Sequence, residues 1–298
     1  MSLPLVSVCI PTYNGAKFLK EALVSVEQQT YSEIEIVISD DDSQDETLEI
    51  VKALDLPKVR IFTHPRYGLV GNWNYCIKNS KGTYIKFLFQ DDTLKPDCIA
   101  KMVAAAEQDN EVGLVFSSRN LIYSQVLPFA EGLDNLHKAW HQLLPLQPGL
   151  ELLKDRKLLK PPYNKIGEPT NTLIRRSVFE RVGFFDPAFR QLCDLEMWLR
   201  IMTYYKISFI DEKLAAFRIH PEQATYCNFL QDQTWFEIYD VWIKLLSDSV
   251  FKVIPLTIRQ QIRLTLANCL LREFVKAIIF RKVHRLAKVA KVLIKTFQ

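Results

Sequence analysis

The sequence predicts an α/β fold: a mostly parallel, Rossmann-like sheet flanked by helices, with a helical extension at its C-terminal end. Three observations carry this. Apolar strand-like runs alternate with segments whose apolar residues recur at helical spacing, the pattern of a parallel sheet with helices on both faces. The second and fourth of those runs end in clustered aspartates, Asp40–Asp42 and Asp91–Asp92. The chain has 298 residues, 48% of them hydrophobic, which suffices for a full core in one domain with an appendage or in two small domains.

The first strand is expected at 5–10, where Leu5, Val6, Val8 and Ile10 dominate, and Pro11, Asn14 and Gly15 close it in a loop. Phe18, Leu19, Ala22, Leu23 and Val26 then fall on one helical face. Residues 34–39 read as a second strand and 48–54 as a short helix. A third strand spans 59–63, Pro65 and Gly68 mark a loop, and a helix follows near 72–79. The fourth strand covers 84–89, a helix lies around 98–107, and a fifth strand occupies 112–117. Residues 121–162 lose clear periodicity and collect prolines, so they read as an irregular or partly helical insertion over the sheet. Regular patterns return as a strand at 170–175, helices at 177–182 and 194–202, a strand at 207–210 and an extended piece at 214–219. From Gln223 onward the pattern is helical.

The carboxyl edge of a parallel sheet is where open α/β sheets bind ligands. Carboxylates there accept from a base imide N–H or a ribose hydroxyl, and they bind hard cations; they do not bind phosphate directly. Asp91 with Asp92 can therefore hold a divalent cation, which in turn holds a diphosphate. A third acidic segment, Asp194 to Trp198, opens a helix. Each acid also has a plainer reading. Asp91 and Asp92 can cap the helix after Pro96, Asp40 to Asp45 can form an Asx turn, Asp194 can be an N-cap, and His220 can be an ordinary loop histidine.

Taken in order, Pro11-Thr12-Tyr13-Asn14, Ser39 to Thr47, Gly82-Thr83-Tyr84-Ile85 leading to Asp91-Asp92, Gly183-Phe184-Phe185-Asp186, Asp194 to Trp198 and Phe217-Arg218-Ile219-His220 resemble family 2 glycosyltransferases of the GT-A fold. The resemblance covers residues 4–221. It implies an inverting hexosyl transfer from a nucleotide-diphosphate sugar of UDP type to the hydroxyl of a glycan or lipid-linked acceptor. The setting implied is bacterial-type cell-surface polysaccharide or glycolipid synthesis, with Mg²⁺ or Mn²⁺ as cofactor. By resemblance, Thr12 and Tyr13 lie along the base, Asp41 receives the base N–H, and Asp91 sits on the ribose side. Asp92 is the metal ligand, with His220 near the metal or diphosphate, Arg218 serves the phosphates, and Asp194 is the catalytic base. The implied organisation is a catalytic domain over 1–221, with a nucleotide-sugar half at 1–118 and an acceptor half at 119–221, followed by a helical basic extension over 222–298. The family often has Gly or Asn where this chain has Asp42, and Glu where it has Cys193. A non-catalytic or donor-hydrolysing relative of the same fold is the alternative.

Charge is unevenly placed. From Arg259 onward ten Lys and Arg face one acid, Glu273, so a tail of +9 hangs on a body of −5. In that tail Leu286, Val289, Val292 and Leu293 interleave at helical spacing with Arg285, Lys288, Lys291 and Lys295. Such a helix either lies on an anionic membrane or packs on protein, including a second copy of the chain. An acidic body without a recognised motif argues against nucleic acid. The six cysteines include no Cys-x-x-Cys pair and several lie in apolar runs, as in reduced cytoplasmic proteins. No basic region precedes the first apolar stretch, and no run of about 18 uncharged apolar residues occurs. The expectation is a cytoplasmic protein, at most peripheral on the inner face of the membrane.

Overall fold

The computed structural model describes residues 3–54, 58–123, 132–230, 233–247, 251–252, 254–279 and 289–290. Four strands open the sheet: β1 (Val6–Thr12), β2 (Ile34–Asp40), β3 (Val59–Thr63) and β4 (Tyr84–Phe87). They run parallel in the order β3-β2-β1-β4. Thr12 pairs with Asp40 at the end of the β1–β2 ladder, so both acidic loops of this half leave at one edge.

Five strands complete the sheet: β5 (Thr93–Leu94), β6 (Val112–Tyr123), β7 (Leu146–Pro148), β8 (Thr172–Arg175) and β9 (Lys206–Ile219). β8 runs antiparallel between β4 and β6, and β9 lies parallel to β6. The parallel order expected from sequence thus holds on both sides of the inverted β8, while the short strands β5 and β7 run antiparallel to β9. The two extended pieces expected at 207–210 and 214–219 form one strand, β9, whose register against β6 shifts near Ser117 and Ser118. β5 is short enough to pass unread in sequence. It pairs with Ala215 and Ala216 of β9 and thereby carries the chain after Asp92 back against the strand that ends at Ile219, just before His220.

Ten helices are described: α1 (Ala16–Glu27), α2 (Thr47–Ala53), α3 (Gly68–Lys78), α4 (Cys98–Ala106), α5 (Gly149–Leu153), α6 (Val178–Val182), α7 (Cys193–Tyr204), α8 (Ala224–Leu230), α9 (Gln233–Ser247) and α10 (Leu256–Ile279). Alternate residues of each strand face opposite layers. Val6, Val8 and Ile10 pack with Leu19, Leu23, Ile99 and Met102 of α1 and α4. Cys9, Ile85 and Phe87 pack with Trp73, Met197 and Trp198 of α3 and α7.

That second layer also contains Ile238, Val241, Trp242 and Leu245 of α9 and Ile258, Ile262, Leu266 and Leu270 of α10. The segment after residue 221 therefore shares its core with the sheet, and a boundary there follows the motifs rather than the packing. The insertion expected over 121–162 holds a 3₁₀ segment (Leu133–Ala139), β7 and α5, and residues 124–131 lie outside the described residues. Of the basic tail, residues 280–288 and 291–298 lie outside the described residues. Among the described residues no helix is long and apolar enough to cross a membrane.

Candidate active site

The loops after β1 and β2 are stitched together by side chains. Asp40 Oδ1 accepts from Thr12 Oγ1 at 2.8 Å and Ser43 Oγ at 2.6 Å, and its Oδ2 accepts from the Ser43 N–H at 2.9 Å. Asp45 caps α1 from the other loop, accepting from the Ala16 N–H at 3.1 Å. The chain between them turns through Asp42 at φ +68°, the left-handed region where Gly or Asn is the easier occupant. Asp41 then points at the start of α3, accepting from the Tyr67 N–H at 2.6 Å and the Gly68 N–H at 2.9 Å. A helix N-terminus favours a carboxylate. His64 Nδ1 lies 3.6 Å from Asp41 Oδ1, and the second lone pair of Oδ2 is left for a ligand donor.

Tyr13 lines the same cleft as Asp41 and lies under the guanidinium of Arg66, which sits 3.9 Å from the ring centroid. The Tyr13 backbone is held by Gln90, whose Oε1 accepts from Tyr13 N at 2.9 Å while its Nε2 donates to Tyr13 O at 3.0 Å. Gly15 makes room for that clamp, since a Cβ there would meet Gln90 Oε1 at 2.2 Å. The first loop is thus keyed to the residue immediately before the acidic pair.

The two acids of that pair face different ways. Asp91 lines the cleft, and its Oδ2 lies 3.0 Å from His220 Nε2. Asp92 is fully buried beneath it: Oδ1 accepts from the Arg218 N–H at 2.9 Å, and Oδ2 has no hydrogen-bond partner among the described residues. Burial, and next the charge of Asp91, hold the Asp92 carboxyl well above the usual carboxylate range. Lys86 on β4, also fully buried, donates to the Thr170 and Thr172 carbonyls, and burial lowers its pKa. Arg218 turns away from the cleft, donating to Asp91 O at 2.8 Å and pairing with Glu21 of α1 at 2.6 Å.

Asp194, in the first turn of α7, lines the same cleft. Its Oδ1 accepts from the Leu195 N–H at 2.6 Å and its Oδ2 from Asn164 Nδ2 at 2.8 Å. Desolvation pushes its pKa up to about 7. Arg119 of β6 is buried between the acids: it pairs with Glu168 and donates to the Leu133 carbonyl at 2.9 Å, and burial lowers its pKa to about 10. The N-terminus of α7 is fixed from α9, where the Glu237 carboxylate accepts from the Arg190, Gln191 and Leu192 N–H groups at 2.7, 2.9 and 2.8 Å. Glu196, two residues beyond Asp194, faces the core and is held by Arg200 at 2.6 Å and Lys244 at 2.8 Å.

All three walls enclose one cleft of about 370 Å³, lined among others by Thr12, Tyr13, Asp41, Asp91, Asp194 and His220. That volume falls in the range of small-molecule sites, about 300–1,000 Å³. Asp91 Oδ2 and His220 Nε2, which share a hydrogen bond at 3.0 Å, are the two cleft-lining groups that could hold a divalent ion. Among the described residues, no group of three or more His, Cys, Asp or Glu side chains is arranged to hold a metal. An ion here would take its remaining ligands from substrate and water, as Mg²⁺ commonly does with phosphates.

Comparison with known proteins places the chain in a family. The family described as Glycosyl transferase family 2 matches residues 7–183. The chain belongs to that family. An uncharacterised glycosyltransferase of Rickettsia typhi is 28% identical over 247 residues, spanning 82% of this chain and 73% of its own length. Among solved structures, S. aureus TarS in complex with UDP superposes with a TM-score of 0.65 at 18% identity, over 91% of this chain and 72% of that one. The mannosyltransferase PcManGT from Pyrobaculum calidifontis, in complex with GDP-Man and Mn²⁺, gives a TM-score of 0.61 at 18% identity over 99% and 86% of the two chains. The fold is GT-A.

On this family 2 scaffold, Thr12, Tyr13, Asp41, Asp91, Asp194 and His220 come together in the cleft. Two residues expected to meet ligand do not line it. Asp92, expected as metal ligand, is sealed under Asp91 because β5 turns back at once and pairs with β9. Arg218, expected on the phosphates, is drawn to Glu21 and stacks over Phe18 at 4.6 Å. Sequence reasoning also passed over Arg66, Gln90, Arg119 and Asn164. Lys86, a lone charge inside an apolar strand, was the one visible signal of the buried charges beneath the site.

Proposed function

We propose that the chain is an inverting glycosyltransferase that moves a sugar from a nucleotide-diphosphate donor, UDP in the first instance, to an acceptor hydroxyl. The observation that carries this is the convergence of Asp41, Asp91 with His220, and Asp194 in one cleft. Asp41, fixed by two backbone N–H groups, receives the base imide N–H, and Tyr13 under Arg66 forms the base platform. Asp91 and His220, rather than the buried Asp92, would hold Mg²⁺ or Mn²⁺; Asp92 supports them from beneath. When bound, the ion neutralises charge on the departing diphosphate. Asp194 takes the acceptor proton, and its pKa near 7 suits a base working at neutral pH, worth roughly 10²–10⁴-fold. The likeness to UDP-bound TarS and to PcManGT with GDP-Man and Mn²⁺ supports a nucleotide-sugar donor and a divalent ion.

The acceptor we assign is a glycan or lipid-linked hydroxyl of a cell-surface polysaccharide or glycolipid, met at an anionic membrane surface. Supporting this, the outer face of α10 leaves Leu264, Leu271, Val275, Ile278 and Ile279 exposed beside Arg272, opposite the buried stripe Ile258, Ile262, Leu266 and Leu270. Lys276 and the basic residues from Arg281 onward continue the charge in sequence, matching anionic headgroups.

The test is turnover. Purified protein with Mn²⁺, a panel of nucleotide-sugars and candidate acceptors should release nucleoside diphosphate and form a product of inverted anomeric configuration by NMR. Release of free sugar with every acceptor tried would instead favour a donor-hydrolysing relative.

A further inference from the structure

The segment between α5 and β8 contains a small hydrogen-bond network that reaches Asp194 of α7. Lys165, buried, donates through Nζ to the carbonyls of Leu158, Lys160 and Pro162 at 3.2, 2.8 and 2.8 Å, which gathers the preceding loop around one ammonium. Asn164 beside it accepts through Oδ1 from the Ile166 and Gly167 N–H groups at 3.2 and 2.9 Å. Its Nδ2 donates to Gly167 O at 3.1 Å and to Asp194 Oδ2 at 2.8 Å. The Gly167 carbonyl is itself tied to α7, accepting from Trp198 Nε1 at 2.9 Å.

This pattern fixes the direction of the amide. Two backbone donors meet one end of it, so the flipped amide would set its NH₂ against both. The oxygen end is used up by the loop, and the NH₂ end is left to the carboxylate. Asn164 does not line the cleft, whereas Asp194 does. Asp194 is the cleft-lining side chain that Asn164 bonds directly.

We propose that Asn164 is the positioning residue of Asp194: a neutral donor, locked by its own loop, that orients the carboxylate toward the acceptor and keeps it ionisable. This rests on the reading of Asp194 as the base. The charged and titratable surroundings explain why a neutral donor serves. Arg119 approaches from β6 with its charge partly offset by Glu168, and Cys193, next on α7, is held neutral by burial. A second cation bonded to Asp194 would orient it but weaken it as a base. An amide donor favours the ionised form more mildly, and the second lone pair of each oxygen stays available for a hydroxyl proton.

The experiment compares Asn164→Asp, Asn164→Ser and Asp194→Asn with wild type, reading kcat against pH and, separately, nucleoside diphosphate affinity with Mn²⁺ by calorimetry. Asn164→Asp keeps the oxygen that the loop needs and replaces only the donor with an acid. Its acid limb should move up by about one unit or more, and kcat at pH 7 should fall roughly tenfold. Nucleotide affinity should stay within about twofold, since the interaction acts on the acceptor step. Asn164→Ser, which can still donate, should lie between Asn164→Asp and wild type. Superimposable pH profiles for all Asn164 variants, or kcat and nucleotide affinity falling together with a lower Tm, would overturn the proposal. Asp194→Asn separates the two failures. Wild-type turnover by that variant removes the base assignment and this inference together. An inactive Asp194→Asn beside an unaltered Asn164→Asp profile removes the inference alone.

Discussion

Replacing Asp194 by Asn should remove activity and, at alkaline pH, make the protein more stable. The carboxyl is pushed from 3.8 to about 7, chiefly by desolvation. Between those values the folded protein holds a proton that the unfolded chain has released, so folding stability falls as pH rises through this window and levels off above about 7. A shift of about three units at ~1.4 kcal/mol each puts the ceiling of that penalty near 4 kcal/mol. Asn is neutral throughout and has no such slope. It also has only one oxygen for two donors, the Leu195 N–H and Asn164 Nδ2. Leaving one of them unpaired costs about 1–3 kcal/mol. The net gain expected at pH 8 is about 1–3 kcal/mol, or a Tm higher by roughly 2–12 °C at the 2–4 °C per kcal/mol usual for chains near this size. At pH 4.5 the carboxyl is protonated in the fold, the gain disappears, and the lost hydrogen bond leaves the variant less stable. The assay is thermal unfolding of both proteins from pH 4.5 to 8.5. Parallel curves across that range would refute the account of Asp194 as a desolvated base.

Other consequences follow from the packing of the segment beyond residue 221. Glu237→Ala leaves the Arg190, Gln191 and Leu192 N–H groups without their acceptor, so it should lower unfolding free energy by about 2–4 kcal/mol in urea titrations. An unchanged midpoint would show that α9 does not brace the start of α7. Leu271→Glu with Val275→Glu places acids on the exposed face of α10 and should abolish sedimentation with anionic vesicles while sparing turnover of a soluble acceptor. Wild-type binding should also weaken with salt, because screening limits electrostatic reach to about 8 Å at physiological ionic strength. Undiminished sedimentation of the double variant would move the contact off this face.

Much of the fold was legible because its first half obeys local rules. β1, β2 and α1 show the two periodicities cleanly, and the loops between them are spelled in Pro, Asn, Gly and Asp. The inversion of β8 was not legible, since an apolar strand such as Thr172–Arg175 carries no mark of its direction. β5 was missed because two residues are too few to show alternation. At the site, residue type located the acids, but only the fold says which way each points. Asp91 and Asp92 look equivalent in sequence, and they part because β5 turns under the cleft. Asn164, Arg119 and Gln90 act through contacts spanning many residues, with no spacing that a single sequence can show.

The central claim is that the metal-dependent donor site stands on Asp91 with His220, and calorimetry tests it most directly. Wild-type protein titrated with UDP should bind more tightly with Mn²⁺ than with EDTA. Asp91→Asn, a near-isosteric change at a cleft-lining position, should bind UDP with the same weak affinity in both conditions while keeping the wild-type Tm. A variant that retains the full Mn²⁺-dependent gain would contradict the account and return the ion to a ligand other than Asp91.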